Sequence, residues 1–359
     1  MPYRIQKMNI AQGVVRAYFL FDVADTIDLA QLAGLGGERP RVPTAYLQFP
    51  IPPLVLPLSN AAIDDLDCRA RIKFYDYGVI SVLLTFAVSG GWREVTGLAD
   101  KARGDERISQ YAHSLAMRIR EEQAAAFDEP HDPLIEDYFI IEINGFSQPL
   151  SARQLLDDHS SDIAKLLLGE QKTLSVSETN EALRNQFSYY EDDLTIVQWD
   201  TAFVYDRPES AQAIAEILEF ANSQLLELRT YDALLDRELD EIYKMQPGRT
   251  SRSLRGQREA ERAATLRYMI VDVLELIDRS SNALKIVGDA YYARIYRAAA
   301  ARLGLADWQR QIDVKVASVG EMYRLLTDQA RSSRDTFLEI IIIALIALEL
   351  LVAVMTLVR

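Results

Sequence analysis

Few residues of this chain fall into patterns that do chemistry. Asp128, Glu129, His131 and Asp132 lie together in the run FDEPHDP. Three carboxylates and an imidazole so close in sequence are the ligand types of a divalent-cation loop. A solvated acidic loop uses the same residues, so these four are weak metal candidates. Glu349 stands in an otherwise apolar run, where an ionisable group is costly and by default functional. On a helix it shares a face with Leu345, Ile346, Val352, Ala353 and Thr356. It reads as an inter-chain hydrogen-bonding group, as a tolerated acid kept protonated by desolvation, or as one of a ring of carboxylates around an ion path.

Other candidates are weaker. His113 and His159 are isolated, without HExxH or paired spacing. Gly34-Leu35-Gly36-Gly37 lacks the Lys-Ser/Thr of a phosphate loop and reads as a turn. Cys68 has no thiolate-activating neighbour in sequence. Tyr291, Tyr292 and Tyr296 read as helix packing. No nucleophile–base pair stands out, so the sequence offers no enzyme, no cofactor and no firm metal site.

The element that holds Glu349 is Phe337 to Arg359, FLEIIIIALIALELLVAVMTLVR. Its apolar stretch, Ile340 to Val358, is roughly 28 Å long as a helix and has no polar stripe, the dimensions of a bilayer span. It therefore reads as a tail anchor. Glu339, Ala344, Ala347, Glu349, Ala353 and Thr356 are its candidate membrane and oligomer-contact residues. Arg331 and Arg334 precede it, which places the preceding bulk in the cytoplasm by the positive-inside rule. The expected location is a cell inner (cytoplasmic) membrane, crossed once.

Composition narrows the classes. The 359 residues carry 53 acidic against 39 basic side chains, a net charge of −14, and 49% hydrophobic residues. The acidic balance disfavours nucleic acid as a partner, and the hydrophobic share supports a true core. A single cysteine excludes an internal disulfide.

The pattern predicts an α+β architecture. Residues 1–206 read as a mixed α/β domain. Strands are expected at Ala17–Val23, Thr44–Ile51, Tyr138–Ile143, Leu194–Trp199 and Thr201–Tyr205, with a shorter one near Phe187–Tyr190. A hairpin is expected from Arg71–Tyr75 and Val79–Val88 around Asp76-Tyr77-Gly78. Helices are expected after the caps Asp105 and Ser151, with a short one in the stretch TLSVSETNEALRN. Residues 207–336 read as a long antiparallel α-helical coiled-coil stalk, with a linker at about 246–259 and residues 337–359 as one C-terminal transmembrane helix. The first stalk seam is Ile214, Leu218, Ala221, Leu225, Leu228, Leu235, Leu239 and Ile242, with Asp232 as the polar intruder. A second helix reads from Ala260 to Arg302. The last seam is Ile312, Val316, Val319, Tyr323 and Leu326, in a register that continues into the anchor.

The carboxyl end also resembles a known family. Leu338-Glu339, Ile341-Ile342, Leu345-Ile346-Ala347 and Glu349 are similar to the closing signature of the "required for meiotic nuclear division" family (domain of unknown function 155). Asp236-Arg237-Glu238-Leu239 with Ile242-Tyr243 resembles its acidic-leucine-tyrosine stretch. The likeness spans residues 215–358. It implies C-terminal membrane anchoring, homo-oligomers and no established catalysis.

These readings converge on a non-enzymatic, homo-oligomeric scaffold with a cytoplasmic α/β head, whose partners are the lipid bilayer and further copies of itself. An ion channel or transporter subunit of CorA-like layout, with Glu349 lining a pore, is the alternative. A ligand-sensing or regulatory N-terminal domain is the third.

Overall fold

The computed structural model describes residues 9–36, 47, 49–244, 271, 287–321 and 324. The chain divides into two compact units: Met1–Thr230 with Arg279–Trp308, and Tyr231–Asp278 with Gln309–Arg359.

The first unit is built on one sheet of eight strands: β1 (Ile10–Ile27), β2 (Leu54–Ile63), β3 (Leu66–Phe74), β4 (Val79–Gly90), β5 (Phe127–Phe146), β6 (Gln186–Phe187), β7 (Leu194–Val197) and β8 (Thr201–Tyr205). Their spatial order is β2-β3-β4-β1-β5-β8-β7-β6. Every pairing is antiparallel except β5 with β8. The helices are α1 (Leu29–Leu32), α2 (Trp92–Gly104), α3 (Glu106–Glu122), α4 (Ala152–Leu168), α5 (Val176–Ala182), α6 (Pro208–Lys244) and α7 (Ala290–Arg302).

Alternation along the strands gives the sheet two unlike faces. Val15, Ala17, Phe19, Phe21 and Val23 of β1 join Ile72 and Phe74, Val82 and Leu84, Phe139 and Ile141, and Phe203 in one apolar core under α2, α3 and α4. Phe19 and Phe139 meet edge-on at 6.1 Å, and cutting such a ring back to alanine costs about 3–5 kcal/mol. The opposite face carries Arg16, Tyr18 and Asp22 from β1, Lys73 from β3, Ser81 from β4, and Tyr138 and Glu142 from β5. Nearly all of these are buried. Because both faces are covered there, the first part of β4, Val79 to Phe86, is buried and apolar except for Ser81 and Thr85.

Local signals explain the boundaries. Ser151 Oγ accepts from the Gln154 N–H at 3.2 Å while Gln154 Oε1 accepts from the Ser151 N–H at 2.9 Å, a reciprocal cap that starts α4. Asp105 caps α3 by accepting from the Arg107 N–H. The turn between β3 and β4 needs Gly78: its φ is +89°, and a Cβ there would lie 1.7 Å from the Ala24 carbonyl oxygen.

Several expectations change. The run Asp128–Pro133 is not a loop but the first part of β5, whose register against β1 slips between Asp22 and Ala24. Of the strand expected at Thr44–Ile51, residues 44–46 and 48 lie outside the described residues; Leu47 makes an isolated bridge with Val287, residues 49–51 are not in a strand, and the next strand is β2. β2 holds Pro57 on the sheet's edge, where a missing N–H costs no ladder bond. The heptad run from Ala260 to Arg302 is broken before Ala290, where Asp289 caps α7 by accepting from the Tyr291 N–H at 2.7 Å.

The second unit contains the end of α6, from Tyr231, and helical residues within 309–321. Ile312 and Val319 are buried and Val316 is half-buried, whereas Tyr323 and Leu326 lie outside the described residues. Asp232, the intruder in the first seam, is 2.6 Å from the Lys315 ammonium, which also lies 2.6 Å from Asp236. Burial opposes the lysine's charge, but the two carboxylates outweigh it and raise its pKa.

The transmembrane part of the expected fold class is corrected. Among the described residues no helix is long and apolar enough to cross a membrane. The longest, α6, carries acidic and basic side chains along its length, each costly in hydrocarbon. The expected anchor, with Glu339, Ala344, Ala347, Glu349, Ala353 and Thr356, lies outside the described residues. The tail-anchored, single-pass placement in an inner membrane therefore has no support in the structure.

Candidate functional site

The polar face of the sheet is covered by the part of α6 up to Thr230, a stretch buried on almost every side. Glu219, Asn222, Ser223, Gln224, Glu227 and Thr230 of this helix are each at most 5% exposed. Charges there are matched across the layer: Glu219 takes a hydrogen bond from the Lys73 ammonium, with the Arg71 guanidinium 4.0 Å away. Arg16 donates to Glu142 at 2.6 Å and to Gln212 at 2.9 Å. Tyr77 and Ser223 hydroxyls are 2.7 Å apart. The hydroxyls of Tyr18 and Tyr75 are buried without a hydrogen-bond partner among the described residues. Burial, with Glu219 next in effect, holds the pKa of both far above the phenolic range. This layer fixes the start of α6.

A recess of about 290 Å³ opens where α6 begins. Its walls come from the connection between β6 and β7 (Tyr189, Tyr190, Asp192, Asp193), from the start of α6 (Asp206, Arg207, Ser210) and from the start of α7 (Asp289, Tyr291, Tyr292). The tyrosines form a connected aromatic wall: ring centroids are 4.8 Å apart for Tyr189 and Tyr190, 5.3 Å for Tyr189 and Tyr291, and 5.4 Å for Tyr291 and Tyr292. One face of Tyr291 is already taken by the Arg294 guanidinium, 5.5 Å from the centroid.

The carboxylates have structural duties. Asp193 is buried and accepts from the Tyr189 and Tyr190 N–H groups at 2.8 and 2.6 Å, shaping the turn that presents both rings. Asp206 accepts from the Arg207 N–H at 2.6 Å, and Asp289 caps α7. These duties do not cancel their charge. Four aspartates face a single arginine in the lining. Arg207 is itself 81% exposed and reaches Asp192 only at 3.9 Å, a geometry with little neutralising effect. Burial first, then repulsion from Asp193 and Asp192, pushes the Asp206 carboxyl up to about 6. The same causes, burial and then Asp193, raise the Tyr291 phenol.

Such a recess is suited to a small cation. Tyrosine faces attract cations through their ring quadrupole, by about 0.5–1 kcal/mol each at partly exposed sites. The surplus carboxylates add attraction that water does not fully screen. Its volume is at the low end for ligand pockets. Among the described residues no three His, Cys, Asp or Glu side chains converge in a way that could hold a metal ion.

The residues singled out from sequence are not gathered here. Asp128, Glu129, His131 and Asp132 lie along β5 and form no such metal group. His131 is turned instead toward Asp22, with Nε2 3.3 Å from the carboxylate, and Nδ1 lies 3.2 Å from the Asp132 carbonyl. Burial disfavours its charge, yet Asp22 more than offsets this and its pKa is raised. His113 packs edge-on to Phe21 at 5.7 Å. The Trp92 indole donates to His159 at 3.1 Å. Cys68 is buried, which raises its thiol pKa. Gly36 closes a short turn in the left-handed region. Of the tyrosines assigned to packing, Tyr296 packs, donating to Gln224, but Tyr291 and Tyr292 also line the recess. The recess escapes sequence reading because its three segments are remote in the chain. The local signals are the run SYYEDD and two aspartates, Asp206 and Asp289, just before helices.

Comparison with known proteins places the N-terminal region. No solved structure matches. A protein of Methanocaldococcus jannaschii, described as "Uncharacterized protein MJ0711", is 24% identical over 223 residues, covering 62% of this chain and 67% of the relative. A family model described as "Uncharacterized protein MJ0711, N-terminal domain" matches residues 12–212. Neither match supports the resemblance to the "required for meiotic nuclear division" family. That likeness lies in 215–358, where heptads and an apolar run look alike in unrelated chains, and the family match falls instead on residues 12–212. The matched span runs from β1 to the start of α6 and takes in the recess residues from Tyr189 to Ser210, but not Asp289, Tyr291 or Tyr292. By that match, over more than half of its length, the chain belongs to the family described as "Uncharacterized protein MJ0711, N-terminal domain".

Proposed function

We propose that the first unit is a non-enzymatic, ligand-sensing domain that binds a small organic cation, an ammonium or guanidinium head, in the tyrosine–aspartate recess. The observation that carries this reading is the pairing of tyrosine rings with an unbalanced set of four aspartates against one arginine in a single recess. The scaffold and channel readings both lean on a membrane span, so neither is carried forward in that form.

Calorimetry on the full chain tests the proposal. Tetramethylammonium, 1,4-diaminobutane and inorganic phosphate would each be titrated at pH 7.5. A recess of this size and exposure predicts dissociation constants of about 0.1–1 mM for the two cations, or roughly −4 to −5.5 kcal/mol, and no heat from phosphate. Tyr190→Leu should weaken the cations severalfold. Binding of phosphate but of neither cation would refute the reading.

A further inference from the structure

We propose that the recess exchanges a proton for its cation: Asp206 holds a proton while the recess is empty in mildly acidic solution and releases it as the cation enters. The inference rests on the cation-binding reading above and adds how that site is regulated.

The geometry is that of a carboxyl hemmed in by like charge. From the connection between β6 and β7 it is faced by Asp192 and Asp193; from α7 by Tyr291, with Asp289 in the same lining; from β8 by Tyr205; and on its own helix by Arg207 and Ser210. The hydrogen bonds that favour its ionised form come from the Arg207 N–H and the Ser210 hydroxyl. The Arg207 side chain is directed to solvent and, at 3.9 Å, to Asp192. Among the lining residues no other cation is present to neutralise Asp206. Its carboxyl accordingly titrates at about 6. A bound cation supplies the missing counter-charge, which favours the carboxylate. The balance is one protonated carboxyl plus one cation giving one carboxylate–cation pair plus one proton to solvent. By linkage, if the cation selects the ionised form, affinity must rise with pH through the same interval.

Tetramethylammonium is the appropriate probe, since it carries no titratable proton of its own. Its dissociation constant would be measured with the full chain from pH 5 to pH 8, with far-ultraviolet circular dichroism confirming the fold at each pH. A carboxyl titrating near 6 predicts about tenfold tighter binding at pH 7 than at pH 5. Repeating the titration at pH 6 in buffers of different ionisation heat should show net proton release. Asp206→Asn, which keeps a side-chain oxygen for the Arg207 N–H, should bind weakly at every pH and lose the slope. Binding that is intact but level from pH 5 to pH 8 would overturn the exchange and leave the cation-binding reading standing. An unchanged slope in Asp206→Asn would overturn the assignment to Asp206, and absence of binding at every pH would overturn both.

Discussion

Replacing Glu219 with glutamine should destabilise the first unit by about 3–4 kcal/mol, more than any surface change nearby. The Glu219 carboxylate is 1% exposed and receives the Lys73 ammonium, 8% exposed, with the Arg71 guanidinium at 4.0 Å. Removing one member of a buried pair leaves an uncompensated charge, a loss of roughly 3–5 kcal/mol. Glutamine can still accept one hydrogen bond from Lys73, which places the cost at the lower part of that range. Lys73→Met should cost less, about 2 kcal/mol, because Arg71 remains to balance the carboxylate. The double variant should lose less than the sum of the two, since each single change leaves a charge that the double change removes. Urea unfolding of the full chain, followed by tryptophan fluorescence and circular dichroism, would supply the three values. The reasoning fails if Glu219→Gln costs under 1 kcal/mol, or if the two substitutions add. Either result would mean that α6 does not seat its carboxylate on the charged face of the sheet.

Other expectations follow from single positions. Gly78→Ala puts a Cβ onto the Ala24 carbonyl at a positive φ, so it should lower the melting temperature steeply or prevent folding, checked by thermal denaturation. Ser151→Ala removes the cap of α4 and should cost about 1 kcal/mol in urea unfolding. For Asp206 the sign runs against the usual carboxylate: its folded pKa of about 6 lies above its ordinary value of 3.8. The folded state thus holds more protons between those values, and stability falls as pH rises from 3.8 through about 6. Asp206→Asn should therefore gain about 1 kcal/mol at pH 8, a figure reduced for solvent screening, and nothing near pH 3.5.

Local chemistry was readable in the sequence wherever one residue decides the outcome. Gly78 marks the turn between β3 and β4, Ser151 marks the start of α4, and Thr201–Tyr205 is a strand as expected. β2 was hidden because Pro57, Ser59 and Asn60 argue against a strand unless its place at the sheet edge is known. α2 was hidden because WREVTGLADKARG has few apolar residues and only Val95, Ala99 and Ala102 are buried. The polar face of the sheet shows why periodicity alone misleads. The apolar seam of α6 suggests a stalk, yet Glu219, Asn222 and Gln224 beside it are as buried as the leucines, because the strands below present matching charges. Asp232 stands out in the seam as a polar residue, and only the fold shows Lys315 as its partner. The recess depends on contacts between remote segments, which no local pattern encodes.

The most direct test of the cation-binding account is an intermolecular nuclear Overhauser experiment on the full chain with tetramethylammonium at pH 7.5. The account predicts transfer from the ligand methyls to the ring protons of Tyr189, Tyr190 and Tyr292, reduced when Tyr190 is replaced by leucine. Transfer to aromatic protons elsewhere, or none to these three rings under saturating ligand, would contradict it.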